Sequence, residues 1–335
     1  MEQQFAQFSK LVLSYLPEFD KVFALKLDML LALEFGRLFV LALLLCLTGL
    51  PVLAAVGQGL AYSRGRSAYD KCARQLGRLA VQLGLIVVIV GGVALGMQYQ
   101  SLLALDIKNP AAWENFLPLL MVGGWLCVVL STLLNCLYTG LWQSRRTVPR
   151  LHQLLALLAA LASAAAVYAA LLYLHAGTAA PVASAPADLR VLLMPGTEGF
   201  WVAVSYAPFA ALALAGGYGA LWLLLRRVAD DYGRDHYNLV IPWCAGWASN
   251  FWLLLWLFVT GRMGWRVFHL YEAAGGKLDW FQFMPDCVWL IVLLLPGLWW
   301  MRISRSMTPL RAKIAMPIAP LWATGCLLLL DMGLG

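Results

Sequence analysis

Apolar residues dominate eight long stretches of the chain, at roughly 35 to 62, 79 to 99, 116 to 142, 153 to 175, 199 to 225, 240 to 260, 285 to 301 and 314 to 333. Polar and charged residues gather in the gaps between them. A helix needs roughly 20 apolar residues to cross a bilayer, and it satisfies its backbone polar groups within its own segment. The pattern therefore predicts an all-α, polytopic integral membrane protein of about eight transmembrane helices, the seventh being the shortest. Four stretches precede and four follow a segment over 176–198 that is rich in Ala, Pro and Ser. That layout predicts two four-helix transmembrane bundles, 35–175 and 199–335, joined by an outer linker.

Ahead of the first stretch the period changes. Phe5, Phe8, Leu11, Val12, Tyr15, Leu16, Phe19, Val22 and Phe23 recur at three- and four-residue steps, with Gln7, Lys10, Ser14, Glu18 and Lys21 between them. Residues 1–34 are read as an amphipathic surface helix, interrupted near Pro17. No short apolar core behind a basic start opens the chain, so no cleaved signal peptide is expected. Between Gly261 and Pro285, Trp265, Phe268, Tyr271, Trp280, Phe281 and Phe283 alternate with charges and predict a short helix in the outer interface.

Composition sharpens this picture. Of 335 residues, 62% are hydrophobic and 12% charged, against about 25% charged in soluble domains. Fifteen Trp fit an interfacial aromatic belt better than a base-stacking platform, so no nucleic-acid partner is expected. Basic residues fall beside alternate segments: Arg64, Arg66, Lys71, Arg74 and Arg78; Arg145, Arg146 and Arg150; Arg226, Arg227 and Arg234; Arg302, Arg305, Arg311 and Lys313. The positive-inside rule makes these the cytoplasmic loops of a bacterial-type inner membrane, with both termini outside. The seven Cys form no C-x-x-C pair and read as small buried hydrophobes.

Candidate chemistry is sparse. The pairs Gly91-Gly92, Gly123-Gly124 and Gly216-Gly217 and the run 162–166 of small residues suit close helix packing. Pro51, Pro208, Pro296, Pro317 and Pro320 free carbonyls that could face a ligand. At membrane depth the polar candidates are Ser131, Thr132, Asn135 and Asn250, a set that argues against a proton relay. His152 and His236 belong to the inner side, His175 and His269 to the outer. One pair at each face could ligate two b-type haems, with Met97 and Met263 as substitute ligands. The densest polar run, Asp230 to Tyr237, is read as a solvated helix cap pairing with Arg226, Arg227 and Arg234. No Walker loop, G-x-S-x-G elbow or H-E-x-x-H motif occurs.

From Leu47 to Gln100 the chain reads as a helix with Gly49 and Pro51, then an Arg-Gly turn at Tyr62-Ser63-Arg64-Gly65. Tyr69, Ala73-Arg74 and Gly77-Arg78-Leu79 follow, and a helix ends Gly96-Met97-Gln98-Tyr99-Gln100. This stretch resembles the first helical hairpin of subunit I of cytochrome bd-type quinol oxidases. The resemblance implies a quinol-linked, haem-associated membrane subunit built from four-helix bundles. The chain departs from that family in having no His between Met29 and Val56 and in carrying Gln98 where the family has a functional Glu. No catalytic residue is carried over.

The expected function is a membrane-anchoring subunit of a respiratory or electron-transfer complex, embedded in the lipid bilayer beside other subunits and contacting quinone in an aromatic, interfacial pocket. A non-catalytic role is expected over that of a stand-alone enzyme. Its rivals are a solute transporter or channel, from the eight helices, kinking prolines and Gly pairs, and a membrane-embedded enzyme acting on lipid through the inner Asp230 to His236 cluster, for which Asp231 and His236 are the residues to mutate.

Overall fold

The computed structural model describes residues 30–97, 113–142, 149–179, 193–273, 283–312 and 314–332. Among these residues there are eight α-helices: α1 (Leu30–Arg64), α2 (Ser67–Met97), α3 (Trp113–Gly140), α4 (Pro149–Ala179), α5 (Glu198–Asp230), α6 (Arg234–Ala273), α7 (Met284–Ser304) and α8 (Ala315–Met332), with a 3-10 turn at Pro309–Arg311. Among the described residues there is no strand. Seven of the helices, α1 to α7, are long and apolar enough to cross a membrane, and the chain is a multi-pass, all-α membrane protein. Clustering of contacts separates Met1–Leu41 from Ala42–Gly335. Of the first unit only the opening of α1 is described, and the amphipathic stretch before it lies outside the described residues, as do Lys108, Arg145, Arg146, Arg190 and most of the outer linker.

Local chemistry sets the helix ends. Pro149 opens α4, where a missing N–H costs nothing. Only three residues separate α5 from α6, and they include Asp231 at φ 34° and Gly233 at φ 83°, left-handed positions that stop one helix and launch the next. The basic stretch Arg64–Arg78, expected as a loop, is helical from Ser67 onward. Tyr69, Cys72, Ala73, Leu76 and Ala80 are buried on one side of it at helical spacing, so its charges form the solvent face of an amphipathic extension. The expected interfacial helix after Gly261 is also corrected: through Ala273 the chain simply continues α6, 40 residues long. That is roughly 60 Å, twice the hydrocarbon thickness. Trp280 and Phe281 lie outside the described residues. The shortest helix is α8, with 18 residues, and not α7, with 21.

Ala42–Gly335 is held together by small residues and by indole donors. A Cβ on Gly49 would run into the Ala211 carbonyl, and one on Gly217 into the Trp300 ring. At Gly216 a Cβ would come within 2.6 Å of the backbone at both Cys244 and Ala248. Such approaches replace the hydrophobic effect as the source of cohesion in lipid.

Not all the Trp serve an interfacial belt. Trp252 and Trp300 are buried edge to face. Trp125, Trp252, Trp256 and Trp322 each donate an indole N–H to a carbonyl of a neighbouring helix. Pro296 removes the donor that Val292 would otherwise receive, and the Trp322 indole takes that carbonyl at 3.3 Å. The freed carbonyl is thereby used in packing rather than offered to a ligand.

The contacts fix which helix ends share a face. Gln58 of α1 meets His152 of α4, Arg74 of α2 lies over Trp142 after α3, and Gln75 of α2 meets Asp230 of α5 and His236 of α6. The antiparallel pairing of α6 with α7 runs from Trp256 at Leu290 to Gly246 beside Ser304. One end of the molecule therefore collects Arg64, Arg66, Lys71, Arg74, Arg78, Arg150, Arg226, Arg227, Arg234, Arg302 and Arg305.

Candidate functional site

Two polar knots lie at the basic end. In the first, the buried His152 ring sits between Tyr138, with centroids 4.2 Å apart, and Trp142 at 5.1 Å. Its Nε2 is 2.7 Å from the Tyr138 carbonyl, and its Nδ1 is 3.1 Å from the Gln58 amide. Both nitrogens face protein groups, so ligation of a haem iron by His152 would require breaking one of these contacts.

In the second knot, Gln75 donates through Nε2 to Asp230 Oδ2 at 2.7 Å and accepts through Oε1 from His236 Nε2 at 3.2 Å. Asp230 Oδ1 receives Arg226 at 3.0 Å and lies 3.6 Å from Arg78. The Asp230 side chain is 7% exposed. The expected pairing with Arg226 is present, whereas Asp230 is a largely covered tie between α2, α5 and α6 rather than a solvated cap. Asp231 and Asp235 do face outward. His236 is buried, and its Nδ1 has no partner among the described residues.

The other two histidines lie at the opposite end. His175 Nε2 is 3.2 Å from the Thr197 hydroxyl, beside Phe200. His269 is half exposed, 3.7 Å from Glu272 and edge-on to Trp265. His152 and His236 belong to different knots, divided by α2, where Arg74 faces Trp142 and Gln75 faces His236.

Of the membrane-depth polar residues, three are absorbed in packing. Ser131 donates to the Ala159 carbonyl across the α3–α4 contact at 2.8 Å, Thr132 to Val128, and Asn135 Nδ2 to Ser131, while the buried Asn135 Oδ1 has no partner among the described residues. Asn250 differs: it is exposed and makes no side-chain hydrogen bond to a described residue. It lies 16 residues into α6, about 24 Å from the start of that helix at helical rise, within a span long and apolar enough to cross a membrane.

Around Asn250 is a groove of about 380 Å³ lined by Pro242, Trp243, Gly246, Trp247, Phe251 and Ser304. The spacing of Trp243, Trp247 and Asn250 places them along one face of α6. Trp247 and Phe251 are stacked, centroids 5.3 Å apart and planes 5° from parallel. Trp243 lies 6.2 Å from Trp247 and meets Tyr69 of α2 edge-on. Gly246 leaves the floor open, the nearest atom to a built Cβ being Ser304 Cβ at 3.9 Å. The result is a flat, aromatic recess with an amide at its lip and no ionised group among its lining residues. It suits a neutral, planar ligand carrying a carbonyl or hydroxyl.

No protein-family model matches the chain, and no curated protein matches it. Gln98, at the end of the helical hairpin, lies outside the described residues.

Proposed function

We propose that the chain is a membrane-anchoring subunit of an electron-transfer complex that holds a quinone in the groove beside Asn250. The observation that carries the reading is an exposed amide on a membrane-spanning helix next to two stacked rings. A lone polar group in hydrocarbon costs free energy unless it finds a partner. A carboxamide serves both redox forms of a quinone: its N–H donates to a quinone carbonyl, and its oxygen accepts from a quinol hydroxyl. The Trp247 and Phe251 faces supply dispersion contacts to a flat ring. The absence of charge in the lining favours this neutral ligand over an ionic solute. In the same reading the basic end faces the cytoplasm of a bacterial inner membrane, and redox partner subunits complete the electron path. Haem is not needed at His152, His175, His236 or His269 for the groove to act.

Titration of the purified protein with a quinone, followed by tryptophan quenching, tests the reading. Asn250→Ala should weaken binding about tenfold, the loss of one hydrogen bond of about 1.4 kcal/mol in a dry site. Asn250→Gln should recover part of it. Equal affinity of the native protein and Asn250→Ala would remove the proposal.

A further inference from the structure

The groove does not end at Phe251. Phe251 lies 6.4 Å from Phe209 on α5, Phe209 lies 5.2 Å from Phe258 on α6, and Phe258 lies 6.3 Å from Tyr206. With Trp243 and Trp247, these rings form an unbroken row in which each centroid is within 6.4 Å of the next. Phe251 and Phe258 are seven residues apart on one helix, so the part of the row beyond the groove covers about 10 Å. Phe258 is half exposed, and Phe209 and Tyr206 are only partly covered. The row stops at Tyr206, which lies near Arg262, the first cation along this path.

We propose that this row is the seat of a polyisoprenoid tail, so that the site takes long-tailed quinones in preference to tail-less ones. The inference rests on the quinone reading of the groove and adds the ligand's class and direction. With the headgroup at Asn250 and Trp247, the tail leaves past Phe251 and runs over Phe209 and Phe258 toward Tyr206. A branched chain of planar alkene units can lie flat on successive ring faces, and each unit gains dispersion contact along its length. A phospholipid fits less well, because its charged headgroup would find no ionised partner among the residues lining the groove.

The test compares a tail-less quinone with one carrying a long isoprenoid tail, on the native protein and on Phe258→Ala and Phe209→Ala. Ratios between the native protein and each variant cancel partition of the ligand into detergent. Each variant should weaken binding of the long-tailed quinone about tenfold, as expected when one ring's worth of apolar contact is lost. Binding of the tail-less quinone should be retained, and that retention also shows that the variant is folded. Asn250→Ala should weaken both ligands alike. If the tail-less quinone binds the groove and both Phe variants leave long-tailed binding unchanged, or weaken both ligands equally, the tail seat is wrong while the groove reading stands. If neither quinone binds the native protein, both readings fall.

Discussion

Gly216→Ala is expected to destabilise the folded protein by about 3 kcal/mol, at the upper end of overpacking, and to weaken quinone binding as well. A single methyl at this position would lie 2.6 Å from the Cys244 carbonyl and the Ala248 amide nitrogen. Neither obstacle can rotate away as a side-chain tip could, so α5 and α6 must separate. Ala248 stands between Trp247 and Asn250, and a shift of α6 there moves the stacked ring and the amide together. Detergent-titrated or thermal unfolding, read by near-ultraviolet circular dichroism, measures the loss. Native stability in Gly216→Ala would show that these helices do not approach as described.

Trp252→Ala should destabilise the protein by about 3–5 kcal/mol, the usual consequence of removing a large buried aromatic. Trp252 is fully buried, donates to the Leu293 carbonyl at 2.6 Å and packs edge to face with Trp300 at 5.8 Å. With Trp256 and Ser249, it ties α6 to α7. Two residues from Asn250, it points to the opposite side of α6. The folded fraction of Trp252→Ala should therefore keep its affinity for quinone while its unfolding midpoint drops. Trp252→Phe, which keeps most of the ring, should recover most of the stability, and the same unfolding measurement separates the packing loss from the lost hydrogen bond. A midpoint unchanged in Trp252→Ala would contradict the burial described.

These two variants also show which parts of the structure are written plainly in the chain. Eight apolar runs were enough to predict an all-α membrane protein, because long unbroken hydropathy is a property of each segment alone. Helix ends were harder. Hydropathy falls at Arg262, Arg266 and Glu272, yet α6 continues to Ala273, since a helix leaving the membrane needs only local hydrogen bonds and not apolar side chains. The same is true of α2, whose first turns are polar on one side and buried on the other.

The site divides along a similar line. Trp243, Trp247, Asn250 and Phe251 lie on one helix, so their shared face follows from the 3.6-residue period. Asn250 was visible as a polar residue at membrane depth, but its exposure was not, because that depends on which neighbours α6 receives. Ser304 joins the groove only through the antiparallel pairing of α6 with α7. Gln75 and Asp230 are 155 residues apart, and no local pattern announces such a tie. A buried Gln on the apolar side of an amphipathic stretch was the available signal, at both Gln58 and Gln75. The histidine layout was legible as two at each end, whereas the partners that occupy their nitrogens belong to tertiary packing.

The most direct measurement is photoaffinity labelling of the membrane-embedded protein with an azido-quinone, followed by peptide mapping. The label should fall on α6 between Pro242 and Phe251, be displaced by excess unlabelled quinone, and diminish in Asn250→Ala. Displaceable labelling confined to other helices, with the Trp243 to Phe251 stretch untouched, would contradict the account.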